Sequence, residues 1–424
     1  MSANRLVLSG AVATITLGFA GFAFLARAAG PLLRRAPASP ARVYPAQWEP
    51  HEAIWLGFRT REQSLDSITI PMLRALTRHV DVRLVVETDR LIPDGIGFLS
   101  REGVDTSRVR VFIQSPTDIW YRDPGPIFLR RGGELLVADF LYSNYANVPP
   151  DSISRKAIAH ERIDEDVAHR LGVPAVPSRV VLEGGSIEVN GRGSLILSEL
   201  TRRRNPHLSR KEIEEDLERT LGQRHVIWLK EGAAEDPNNL QRIAGSYYGY
   251  GTGGHTDEFV RFVNDSTVLL AWVDESEREA NPINSINYDR MSENFDILSR
   301  STDQDGRPLR IIRVPVPDLQ LEIRELDGRR LARYQPHDTS LVLGDTILQV
   351  AAASYLNFVV TNGLVLIPKY WHEGRAASLR EKDEQVRRLF ASLFPGREIV
   401  QVDVTAANRE GGGMHCLVQE QPRL

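Results

Sequence analysis

The sequence predicts an α/β fold of five pseudo-symmetric hairpin–helix–strand units, closed into a five-bladed α/β propeller. Three observations carry that expectation. Four hairpin signals recur along the chain, five helix-then-strand signals fall between them, and strand-like segments stand at both ends of the folded region. The hairpins argue against a doubly wound parallel sheet, whose strands are joined by long crossovers. Closing the ring would remove the sheet edges that an open array leaves bare.

In chain order, Ala53–Phe58 is a short apolar strand, and the helical run Met72–Leu76 precedes a strand at Val82–Val86. Ile127–Arg130 turns through Gly132-Gly133 into Leu135–Ala138. Ile163, Val167 and Leu171 recur every four residues, stop at Gly172, and lead to Val180–Leu182. Ser186–Val189 turns through Asn190-Gly191 into Ser194–Leu197, with Asn-Gly where positive φ is required. Ser209-Arg210-Lys211-Glu212 is a capping box ahead of Ile213, Leu217 and Leu221, and Val226–Leu229 follows. Glu258–Phe262 turns through Asn264-Asp265 into Thr267–Ala271, then Phe295–Leu298 precedes Leu309–Val314. Phe358–Thr361 turns through Asn362-Gly363 into Leu364–Pro368. A helix on Leu379, Val386, Leu389, Phe390 and Leu393 ends at Pro395-Gly396, before Ile399–Val402. The fifth hairpin is expected from the two ends, Ala53–Phe58 pairing with Met414–Gln419.

Over the whole chain, 42% hydrophobic and 25% charged residues describe an ordinary soluble globular core. A net charge of −4 gives no basic excess for a nucleic-acid partner. Residues 1–30 differ. Leu6 to Ala26 is uncharged and largely apolar, flanked by Arg5, Arg27, Arg34 and Arg35. Both a membrane anchor and a signal peptide cleaved near Ala26-Arg27-Ala28 fit it, so a membrane-anchored or secreted protein is expected. Residues 31–45, rich in Pro, Ala and Arg, read as a linker, and residues 46–424 as the catalytic domain.

Cys416 is the only cysteine and follows Gly411-Gly412-Gly413-Met414-His415. It has no partner for an internal disulfide and no CxxC spacing, which leaves an inert buried thiol or a nucleophile. In the predicted ring, a polar or reactive residue sits at or just before the first strand of each hairpin: Asp123, Glu183, His255 with Asp257, Asn357, and Cys416. Equivalent positions in a ring converge on its axis, so these residues are expected in one pocket. Each has a plainer reading as well. Asp123, before Pro124-Gly125, suits a turn; Glu183 suits a strand end; Asn357 suits backbone capping. On a strand, His255 and Asp257 would face the same side. Gly249 to Gly254 lacks the Lys-Ser/Thr of a nucleotide loop. Cysteine with histidine is a nucleophile–base pair. Extra carboxylates suit a planar cation, because a carboxylate accepts two parallel N–H bonds from a guanidinium. A metal is the weaker reading, since no HxxxH motif or Cys/His cluster accompanies these residues.

Several motifs resemble the agmatine deiminase and Porphyromonas-type peptidylarginine deiminase family, in the guanidino-group-modifying (pentein) superfamily. They are Trp120-Tyr121-Arg122-Asp123-Pro124-Gly125-Pro126, Glu183-Gly184-Gly185-Ser186-Ile187, Arg204-Asn205-Pro206-His207-Leu208-Ser209, Gly254-His255-Thr256-Asp257, Ser354-Tyr355-Leu356-Asn357-Phe358 and Gly412-Gly413-Met414-His415-Cys416. The likeness runs from Trp48-Glu49-Pro50-His51-Glu52 to Gln419-Glu420-Gln421-Pro422. It implies a five-unit α/β propeller, in agreement with the count above. It also implies Cys416 as nucleophile, His255 as general acid and base, Asp123 and Asp257 as guanidinium holders, and Glu183 as a carboxylate orienting His255 or binding substrate nitrogen. Trp120 and Asn357 join them as substrate-facing candidates. Hydrolysis of agmatine to N-carbamoylputrescine and ammonia follows, with no metal or organic cofactor. Peptidylarginine is the close alternative; an amidino transferase and a non-catalytic guanidine-binding protein are further ones. The chain departs from the family at Glu258, where agmatine deiminases usually carry Asn, and at Gly413, which replaces a common Asn. Phe140–Val148 also lacks a Trp-Gly signal and the arginines that hold a substrate carboxylate.

Overall fold

The structure is a computed structural model that describes residues 41–58, 63–89, 92–148 and 159–424. The apolar segment 6–26 lies outside the described residues, as does most of the segment read as a linker. Among the described residues no helix is long and apolar enough to cross a membrane. Arg42–Val43, at the end of the presumed linker, instead pairs antiparallel with Arg130 and Arg131, and Tyr44 beside it is buried. The folded chain therefore begins a few residues earlier than composition suggested.

The architecture is mixed α/β, and five of the six sheets among the described residues share one topology. In each, an antiparallel hairpin is followed by a helical crossover and a third strand parallel to the second. The sets are Ile127–Arg131, Glu134–Leu141 and Ala175–Val181; Glu188–Val189, Ser194–Ser198 and His225–Leu229; Val260–Asn264, Thr267–Trp272 and Arg310–Pro315; and Val359–Thr361, Leu364–Lys369 and Glu398–Asp403. The fifth joins the chain ends as expected: Val418–Pro422 pairs antiparallel with His51–Gly57, which pairs in parallel with Asp81–Val86. Trp55 lies opposite Gln419 in that register, and its indole is buried against Phe112, Tyr121 and Phe128. The local signals behind these elements are also present. Gly191 and Gly363 take φ of 72° and 67° at the hairpin turns, Gly172 ends its helix in the left-handed region, and Ser209 with Glu212 closes a capping box.

Three features differ from the sequence reading. Asn238–Ala244, Tyr247–Thr252, Thr346–Val350 and Leu321–Glu325 form a further sheet that the sequence reading did not include, and Gly249 and Gly251 of the glycine run lie on one of its strands. Its glycines are demanded by packing: a Cβ on Gly251 would lie 2.0 Å from Asp236 Oδ1. A helix at Ile92–Arg101 and a strand at Val109–Ile113 extend the sheet that joins the ends. Finally, Glu258 and Cys416 do not lie on strands. Each sits in a single 3-10 turn, Thr256–Glu258 or His415–Leu417, just ahead of its hairpin strand, and Gly184–Ser186 repeats the arrangement. His255 and Asp257 are therefore brought together by a turn and not by strand alternation.

Candidate active site

These turns collect the expected residues in one buried cluster. Cys416, His255, Asp257, Asp123, Glu183 and Asn357 are all within 5% of full burial. Gly185 allows the approach: a Cβ there would stand 2.6 Å from His255 Nδ1, 3.0 Å from Asp123 Oδ1 and 3.1 Å from Asp257 Oδ2. Gly413 and Gly412 do the same near the thiol, where a Cβ would meet Asn357 Oδ1 at 2.4 Å or the Trp120 ring at 2.7 Å. The glycine run before Cys416 is therefore a packing requirement of the site.

Asn357 holds the cysteine. Its Oδ1 accepts from the His415 backbone N–H at 2.8 Å, while Nδ2 lies 3.2 Å from Cys416 Sγ and 2.8 Å from Glu258 Oε1. The backbone-capping role expected from sequence is thus present together with a contact to the thiol. Sγ also lies 3.5 Å from the Gly413 N–H, 3.6 Å from Asp257 Oδ2 and 3.9 Å from Glu258 Oε1. Burial, then Asp257, Glu258 and Asp123, push the thiol pKa well up, because a thiolate would sit among carboxyl groups. Burial and Asp257 likewise keep Glu258 well above the usual carboxylate range.

His255 lies between two carboxylates, Nδ1 being 3.6 Å from Asp123 Oδ1 and Nε2 3.8 Å from Glu183 Oε2. Burial disfavours its imidazolium, but Asp123, Glu183 and Asp257 outweigh that and raise its pKa to about 9. Glu183 is opposed by burial too, yet Arg204 and His255 hold it down at about 2. Arg204 Nε donates to Glu183 at 3.0 Å, and Arg204 Nη2 to the Thr252 carbonyl at 2.7 Å. Asp123 accepts from Gly185 N–H at 2.9 Å and from Tyr145 Oη at 2.8 Å. Asp236 accepts from the backbone of Thr252, Gly254 and His255, fixing the loop that delivers the histidine. Both His255 ring nitrogens and Asp257 Oδ1 are buried without a hydrogen-bond partner among the described residues, leaving polar atoms available to a bound molecule.

Sequence reasoning did not assign Arg204, Tyr145, Asp236 or His415 to this site. Arg204 stood in a quoted motif and His415 beside the cysteine, but only their partners show what they do. Asp257, Glu258 and Cys416 have ligand atoms within 4.8 Å of one another, the one such group among the described residues. Metal binding needs deprotonated ligands, and burial with the neighbouring carboxyl groups raises the pKa of both Glu258 and Cys416.

Above the thiol lies a pocket walled by Trp120, Tyr145 and Tyr250, with Asn239 and Glu410 also lining it. Fold and chemistry together define the class of protein: an enzyme that hydrolyses carbon–nitrogen bonds of guanidino groups. The Porphyromonas-type peptidyl-arginine deiminase family model matches residues 43–422, and the chain belongs to that family. An agmatine deiminase of Pseudomonas aeruginosa (strain LESB58) is 30% identical over 400 residues, covering 89% of this chain and 95% of that relative. One of Medicago truncatula is 29% identical over 405 residues, covering 90% and 96%. Solved structures agree in fold. The agmatine deiminase of Enterococcus faecalis gives a TM-score of 0.68 at 22% identity, covering 92% of this chain and 99% of that one. A substrate-bound agmatine deiminase of C. jejuni gives 0.66 at 19%, covering 90% and 96%.

Proposed function

We propose that this chain hydrolyses agmatine to N-carbamoylputrescine and ammonia through a covalent adduct on Cys416. The observation that carries the substrate is the charge of the pocket. Among the described residues none of the side chains lining it is cationic, and Glu410, exposed at its rim, has no charged partner; Arg333 stands outside the lining, its guanidinium 5.8 Å from the centre of the Tyr250 ring. Agmatine carries a guanidinium at one end and an ammonium at the other, which suits acids at the floor and an acid at the mouth. The α-carboxylate of free arginine meets no compensating cation among the described lining residues. The agmatine deiminases among the relatives support the same reading.

In the mechanism, Asp123 and Asp257 take the guanidinium N–H groups. The incoming cation offsets the surrounding carboxylates and favours loss of the Cys416 proton to solvent, which leaves the thiolate. Sulfur attacks the guanidinium carbon, forming a C–S bond and a tetrahedral adduct. His255, charged at neutral pH, gives its proton to the departing nitrogen; the C–N bond breaks and ammonia leaves. The neutral imidazole then takes a proton from water, whose oxygen attacks the amidino-thioether carbon. The C–S bond breaks and the ureido product is released. Glu183 keeps His255 cationic in the first half. Trp120 and Asn357 serve as a pocket wall and a thiol anchor. We infer further that the five sheets of common topology are blades of a five-bladed α/β propeller around this site. Their repeated strand order and the pairing of the chain ends support it. Residues 6–26 we take as an anchor or export signal, to be decided by fractionation and the mature N-terminal residue.

The test is ammonia release by the purified full-length chain from agmatine, free arginine and an arginine peptide. Agmatine is expected to be the preferred substrate, with a Cys416→Ser variant that binds it without turnover. Preference for the peptide would move the assignment to protein-arginine deimination. Release from none by folded protein would end the enzymatic reading.

A further inference from the structure

Six large hydrophobic residues are exposed among those described, and four of them gather at one place: Leu321 at 42%, Ile323 at 72%, Val342 at 59% and Leu343 at 68%. Leu321 and Ile323 lie on Leu321–Glu325, the edge strand of the sheet that sequence analysis did not foresee. Val342 and Leu343 belong to the loop tied to that strand's end, where Leu326 N–H donates to the Asp345 carbonyl and Gly344 N–H to the Leu326 carbonyl.

The register shows which backbone groups have no ladder partner among the described residues. Leu321 stands opposite Val350 and Ile323 opposite Leu348, while the Gln320 carbonyl bonds Ala351 N–H and Leu326 N–H bonds the Asp345 carbonyl. Hydrogen-bonded positions alternate along an antiparallel ladder, so the even-numbered residues face the neighbouring strand. The backbone groups of Leu321, Ile323 and Glu325 point outward, and of these the Glu325 carbonyl already accepts from Arg330. An apolar edge with outward donors and acceptors is a template for strand addition.

We propose that this edge is the interface of a two-fold dimer, in which Leu321–Glu325 pairs antiparallel with the same strand of a second copy, centred on Ile323. The sequence selects its own copy as partner. Centring on Ile323 places each Glu322 opposite Arg324 of the other chain, and each Arg324 opposite Glu322. Centring on Glu322 or Arg324 would oppose like charges at the two-fold axis. Glu322 and Arg324 are ion-paired within the strand at 2.9 Å, so the dimer joins two such pairs into a four-charge network on the sheet face opposite the Ile323 contact. Asn239 and Tyr250 of the substrate pocket lie on strands of the same sheet, Asn238–Ala244 and Tyr247–Thr252. Pairing at the edge would therefore brace one wall of the pocket.

Sedimentation of the full-length chain in a density-matched non-ionic detergent tests this, with circular dichroism to verify folding. Wild type is expected as a dimer. Glu322→Arg opposes like charges at two places and is expected to weaken it at least roughly tenfold. Adding Arg324→Glu to that variant reverses both signs and is expected to restore the dimer, which association through the apolar N-terminus would not do. Ile323→Asp is expected to give monomers. A monomeric wild type, a Glu322→Arg variant that dimerises as tightly as wild type, or a folded double variant that stays monomeric would each overturn the proposal.

Discussion

His415 Nδ1 lies 2.7 Å from Asp257 Oδ2, so the residue beside the cysteine fixes the carboxylate that faces the sulfur. Burial, with Arg122 and Arg261 nearby, keeps His415 well below the usual imidazole range, and the ring is neutral. Nδ1–H donates to Asp257, and Nε2 accepts from Gln47 Nε2 at 2.8 Å. Asp257 Oδ1 is left without a hydrogen-bond partner among the described residues.

His415→Phe removes that donor while filling much of the same space. A hydrogen bond to a charged group contributes about 1.5–3 kcal/mol, so a fall in kcat/KM of roughly 10- to 100-fold is expected. Most of it should appear in KM if Asp257 holds the guanidinium. Steady-state kinetics with agmatine checks this, and unchanged KM would remove Asp257 from substrate binding.

Gly185→Ala should damage catalysis more than folding. The added methyl falls against His255, Asp123 and Asp257 together, as the 2.6 Å approach to Nδ1 shows. Displacements near 1 Å cost about 100-fold in rate, and a loss of that order in kcat/KM is expected with a near-native circular dichroism spectrum.

Cys416 should react slowly with iodoacetamide near neutral pH, because its pKa is pushed well up and the thiol is protonated there. Alkylation should accelerate as pH rises, about tenfold per unit while thiolate is the minor form. Glu258→Gln removes a carboxyl group 3.9 Å from the sulfur. The pH midpoint should then fall, and alkylation at fixed pH should quicken. An unchanged midpoint would show that Glu258 does not oppose the thiolate.

Arg122 and Glu420 should matter for stability. Arg122 Nη2 pairs with Glu420 Oε1 at 2.7 Å, and its Nε donates to the His415 carbonyl, in a nearly fully buried setting. Breaking such a pair from one side costs about 3–5 kcal/mol, so Arg122→Met should lower the denaturation midpoint sharply. Adding Glu420→Gln should recover part of the loss. Additive losses would contradict a buried pair.

Much of the fold was legible because its signals are local. Asn190-Gly191 and Asn362-Gly363 specify their turns by φ, Ser209 and Glu212 cap a helix within four residues, and alternating apolar runs mark the hairpin strands. The Leu321–Glu325 and Thr346–Val350 strands were missed because the helix Gly328–Tyr334 and a loop separate them, with no tight-turn signature; Asn238–Ala244 and Tyr247–Thr252 were missed although Gly245, with φ of 51°, turns between them. At the site, the kinds of residue were readable. The strand alternation assumed for His255 and Asp257 failed because a 3-10 turn changes side-chain direction in a way that periodicity does not encode.

The sequence by itself determined which groups could do chemistry: one thiol, the His255 motif, the Glu183 glycine pair and Asp123 before Pro124. Residue type sets pKa range, charge and nucleophilicity before folding. Only tertiary structure decided what those groups are. Burial raises the Cys416 thiol, Arg204 lowers Glu183, His415 occupies one oxygen of Asp257, and Asn357 anchors the sulfur. Desolvation and pair interactions depend on distances between residues far apart in the chain, and those distances exist only once the turns have brought them together.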